Sequence, residues 1–92
     1  MAGIYELIDE LKKSNDEYLQ KRGKEIEKYI NQFEENILHE SLCRSYIQDI
    51  RDLIELDRLR DKVKNLALAQ KAIEKLTSLL MKGIAAGVKG IL

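Results

Sequence analysis

The sequence predicts an all-α protein: a small helical bundle of three to four helices with one long third helix. Three observations carry that prediction. Apolar residues recur at helical spacing along most of the chain, proline is absent, and glycine is limited to five positions in a chain rich in Glu, Lys, Leu and Ile. These are the residues that lose least on entering a helix. Residues 1–92 are read as a single helical domain, because compact domains run from about 50 to 250 residues. With one cysteine, no disulfide can staple it within the chain.

The first helix runs from Ile4 to about Lys13, where Ile4, Leu7, Ile8 and Leu11 occupy one face at i, i+3, i+4 and i+7. Ser14-Asn15-Asp16-Glu17 then has the S-x-x-E form of a capping box, marking a helix restart or a tight turn. Gly23 is a second candidate break, since glycine costs a helix about 1 kcal/mol relative to alanine. The second helix covers about 24–38, with Ile26, Tyr29, Ile30, Phe33 and Ile37 on one stripe. Its start, at Ser14 or at Gly23, is open.

Ser41 is the expected cap of the third helix. From Leu42 to Lys82 there is neither glycine nor proline, and one helix of that length would reach about 60 Å. Cys43, Ile47, Ile50 and Ile54 define one apolar face, whereas Leu56, Leu59, Val63 and Leu66 define a second, rotated from the first. The expectation is a long helix that meets different neighbours along its length. A kink or short break within Glu55–Asp61 is the alternative. The segment from Leu76 to Leu92 changes character, with glycines at 83, 87 and 90 and alanines at 85 and 86.

Charge narrows the function classes. The 16 basic and 16 acidic residues cancel, so no net field draws the chain onto DNA or anionic membrane. The charge is nevertheless segregated: residues 1–61 hold 10 basic and 15 acidic side chains, residues 62–92 hold 6 and 1. Opposite ends of that kind favour antiparallel packing or contact between subunits. No apolar run has the length of a membrane span, and residues 1–20 lack the apolar core of a secretory signal. A reducing cytoplasm with Cys43 as a free thiol is expected.

The candidates for chemistry are few. His39 and Cys43 stand four apart, but zinc needs four ligands and the chain has no further Cys or His. Nothing near them supplies an oxyanion hole or an orienting third group for a nucleophile. Asp49, Asp52, Glu55, Asp57 and Asp61 are interleaved with Arg51, Arg58, Arg60, Lys62 and Lys64, as on a solvated, salt-bridged helix face. No direct, sequence-specific nucleic-acid contact is expected from so mixed a surface. Gly83-x-x-x-Gly87 suits close helix packing in a bundle. Docking of the C-terminal helix on a membrane surface, with Lys82 and Lys89 seven apart, is the alternative. Tyr5, Tyr18, Tyr29 and Tyr46 read as residues at the edge of the core.

One stretch carries a resemblance. A Y-I-x-x-[LF]-E pattern at Tyr29–Glu34 is followed by Ile50-Arg51-Asp52-Leu53 and by Leu56-x-x-Leu59-Arg60-x-x-Val63-Lys64-x-Leu66-Ala67. Over residues 4–70 the chain resembles the helical domain of archaeal GINS subunits, the replication-fork complex that joins the replicative helicase to its partners. The resemblance implies a non-catalytic module for protein–protein interaction, without cofactor or metal, whose long helices pack against those of other subunits. A small homo-oligomeric bundle of the virus- or plasmid-encoded kind is the second reading. In either case the expected interaction residues are Tyr46, Ile50, Leu53, Leu56, Leu59, Val63 and Leu66. They are more apolar positions than one narrow stripe can hide.

Overall fold

In the computed structural model residues 3–89 are described, apart from the side chain of Lys89. Gly90 to Leu92 and that side chain, part of the C-terminal segment discussed above, lie outside the described residues. Five helices follow one another: α1 (Gly3–Lys13), α2 (Glu17–Glu34), α3 (Glu40–Leu59), α4 (Leu66–Lys82) and α5 (Ile84–Lys89). No strand occurs among the described residues, and none of the helices is long and apolar enough to cross a membrane. The all-α expectation is met, with five helices instead of three or four.

α1 to α4 form an up-down-up-down ring, and each cross-link runs antiparallel. Tyr5 donates to Glu34 and Lys12 pairs with Glu27 at 2.9 Å between α1 and α2. Tyr18 reaches Asp57, and Tyr29 stacks on Tyr46, between α2 and α3. Arg51 donates to Thr77 at 2.7 Å and Arg58 to Gln70 between α3 and α4. Lys71 pairs with Glu10 at 2.7 Å and closes α4 onto α1. The enclosed core includes Leu7, Leu11, Leu19, Ile26, Ile30, Ile47, Ile54 and Leu76. α5 packs across α1, α3 and α4, adding Ile84 and Val88.

The boundaries differ from the sequence expectation, each for a physical reason. Asp16, not Ser14, caps α2: its carboxylate accepts from the Tyr18 and Leu19 amides, while the Ser14 hydroxyl accepts from the Asp16 amide. Gly23 lies inside α2, not at a break. A Cβ there would stand 2.8 Å from Leu11 Cβ and 3.3 Å from the Lys12 amide nitrogen, so glycine sits where α1 and α2 approach closely. α2 ends at Glu34, and the turn that follows holds Asn36 in the left-handed conformation at φ 61°. His39, not Ser41, precedes α3, and its side chain caps nothing.

The 41-residue helix does not form. The chain turns at residues 60–65, with Asp61 at φ 61°, the Lys62 amide bonded to the Asp57 carbonyl at 3.0 Å, and the Asn65 side chain capping α4 through the Leu68 amide. Aspartate tolerates the left-handed region better than most residues, so no glycine is needed. At 20 residues α3 is the longest helix, though only just ahead of α2 at 18. Gly83 (φ 98°) breaks the chain between α4 and α5, so the two glycines of the G-x-x-x-G stretch do not share one helix face. Gly87 lies within α5, where a Cβ would run into Leu79 Cδ1, and of the two it alone serves close helix packing.

The close approach at Gly23 gives a test with a definite sign. Helix propensity alone would make Gly23→Ala stabilising by up to about 1 kcal/mol. The atoms in the way belong to backbone and to a Cβ, which cannot swing aside, so we expect a net loss of about 1–2 kcal/mol in urea unfolding. A more stable variant would show that α1 and α2 are not that close.

Candidate interaction surface

Helix α3 has three differently occupied sides. Cys43, Ile47, Ile50 and Ile54 face the core. Arg51 and Arg58 border a groove of about 610 Å³ shared with α4, whose lining includes Ile73, Thr77 and Met81. The third side carries the exposed apolar residues. Leu53 is 37% exposed, Leu56 42% and Leu59 75%, and Leu66, at the start of α4, is 53% exposed.

Of the seven residues expected at an interface, the structure leaves these four accessible. Tyr46 is half-buried, stacked on Tyr29 with ring centroids 4.7 Å apart. Ile50 and Val63 are buried in the chain's own core, Val63 because the turn at 60–65 folds it inward. The expected stripe therefore does not run along one helix. Leu53, Leu56 and Leu59 belong to α3, Val63 to the turn and Leu66 to α4. Leu42, 45% exposed on the same helix, was not among the seven.

A polar network fixes the α2 side of this surface. Tyr18 donates its hydroxyl to the buried Asp57 carboxylate at 2.6 Å and lies 3.3 Å from the Leu53 carbonyl. Burial, and then the Asp57 carboxylate, push the Tyr18 phenol well above its usual range. Arg22 sits over the Tyr18 ring at 5.1 Å and pairs with Glu25 at 3.1 Å. Asp57 is thus an interior group and not part of a solvated face. Most other charges of α3 are also engaged: Arg51 with Asp52 and Glu55, Arg58 with Gln70, Glu40 with the Ala85 amide. The side chains of Asp49 and Arg60 are exposed and make no hydrogen bond or ion pair among the described residues. Sequence pattern alone had placed both on a salt-bridged face.

The groups that could support chemistry are separated. Cys43 is buried, donating weakly to the Tyr29 carbonyl, and burial together with the Glu40 carboxylate pushes its thiol up to about 11. It is protonated at neutral pH and a poor nucleophile. His39 is exposed outside the helix, so the two residues do not share a face. No group of three or more His, Cys, Asp or Glu side chains suited to a metal ion occurs among the described residues. The α3–α4 groove has its arginines bonded to its own walls. What the surface offers is apolar area on a rigid helix. Comparison with protein-family models, curated proteins and solved structures gives no match.

Proposed function

We propose that the chain is a non-catalytic protein–protein interaction module, working in the cytoplasm and docking through the outer side of α3. The observation that carries this reading is the run of exposed leucines, Leu53, Leu56 and Leu59, on a helix whose other sides are filled by the chain itself. Large apolar side chains gathered on one surface are the usual mark of a docking site. The GINS resemblance supplies one class of partner, the helical subunits of a replication-fork complex. The turn at 60–65 divides the longer of its motifs, leaving Ile50 to Leu59 on α3 and Leu66 and Ala67 on α4.

Leu56→Asp and Leu59→Asp should each abolish assembly, because an unpaired carboxylate buried at a contact costs several kcal/mol. Both positions are exposed in the isolated chain, so its helical circular dichroism should be unchanged. Light scattering of the chain, alone and co-expressed with archaeal GINS subunits, reads the result. Unchanged mass in both variants would remove α3 as the interface.

A further inference from the structure

We infer that the occupant of this surface is a second copy of the chain, its α3 antiparallel to the first about a two-fold axis between Leu53 and Leu56. The inference rests on α3 being a docking surface and names what docks. Asp49, Leu53 and Leu56 of α3, and Arg60 at its C-cap, follow one another at spacings of four, three and four residues. At 3.6 residues per turn, all four fall within about 60° around the helix axis, and the outer two lie about 16 Å apart along it.

That spacing reads the same in both directions, while the charges at its ends are opposite. Reversing a second α3 against the first therefore sets Leu53 on Leu56 of the second copy and Asp49 on Arg60 of the second copy. The two-fold axis repeats both contacts, as an interface between identical surfaces requires. A parallel arrangement would instead place aspartate on aspartate and arginine on arginine. Within the chain the side chains of Asp49 and Arg60 have no partner among the described residues, whereas those of Arg51, Asp57 and Arg58 do. The leucines supply the attraction and the two charges select orientation and register.

Reversing the charges tests the pairing in the 92-residue chain. Sedimentation equilibrium should find a dimer for the wild type. Asp49→Arg or Arg60→Asp alone places like charges at two symmetric contacts and should raise the dissociation constant roughly tenfold. Mixing the two variants in equal amounts should restore the dimer, since each then faces its opposite. The double variant D49R/R60D should also dimerise, and it is the weakening of the single variants that a parallel pairing, with like charges facing in wild type and single variants alike, does not predict. A monomeric wild type, single variants that associate as tightly as wild type, or a mixture that stays dissociated would each overturn the self-pairing. A monomeric wild type whose binding to GINS subunits is lost in Leu56→Asp would still leave α3 a docking surface. A dimer indifferent to Asp49→Arg, Arg60→Asp and Leu56→Asp would overturn both.

Discussion

Replacing Asp16 by alanine should lower the free energy of unfolding by about 3–5 kcal/mol, the sum of a lost helix cap and two charge-assisted bonds. One carboxylate oxygen accepts from the Tyr18 and Leu19 amides at 3.0 and 3.4 Å; the other accepts from the Lys64 and Asn65 amides at 2.8 and 3.0 Å. A buried side chain in the α1–α2 turn thus holds the α3–α4 turn as well. Burial raises the Asp16 carboxyl pKa, but the four amides outweigh it and hold it below its usual value. A depressed folded-state pKa means that the stabilisation is complete above the unfolded value of about 4 and is lost as pH falls through the folded one. Urea unfolding of wild type and Asp16→Ala should therefore differ by a constant amount near neutrality and converge in acid. A gap that persists undiminished in strong acid would show that the carboxylate charge is not what holds the turns.

Leu76→Ala should cost about 3–4 kcal/mol, since it empties a fully enclosed leucine site that the surrounding helices can only partly refill. Leu76 has no exposed surface and lies on α4, which packs against α1, α3 and α5. For a domain of this size the expected fall in melting temperature is roughly 12–30 °C. Met81, on the same helix, is 82% exposed. Met81→Ala should stay within about 0.5 kcal/mol of wild type. Comparable effects of the two substitutions on the thermal transition would contradict the burial pattern of α4.

The helical class was legible because it needs only local periodicity, and the Ile4, Leu7, Ile8 and Leu11 stripe is buried throughout. The boundaries were harder because several residues have two meanings. Gly23 reads as a breaker in one dimension, yet it is a point of close approach once Leu11 lies across from it. The turn at 60–65 contains neither Gly nor Pro, and its local signals were Asp61, which accepts a left-handed backbone, and the capping side chain of Asn65. The candidate surface was half legible. The stripe of Cys43, Ile47, Ile50 and Ile54 already set Ile50 on the core face, apart from Leu56 and Leu59, whereas the inward folding of Val63 depends on the turn at 60–65, which periodicity does not encode. The symmetric spacing of Asp49, Leu53, Leu56 and Arg60 stands in the sequence from the start. That the two charges lack partners within the chain is visible only when the neighbouring side chains are placed.

The double grip of Asp16 also orders events in time. Its bonds to Tyr18 and Leu19 span two and three residues, and those to Lys64 and Asn65 span 48 and 49. The first pair can form as soon as α2 nucleates, within the sub-microsecond range of helix formation. The second must wait until the α1–α2 and α3–α4 hairpins have met, because closing so long a loop is entropically opposed until other contacts hold it. Bonds that form late are absent from the folding transition state and act on the rate at which the native state opens. We therefore expect the Lys64 and Asn65 half of the grip to slow unfolding and the cap half to speed folding.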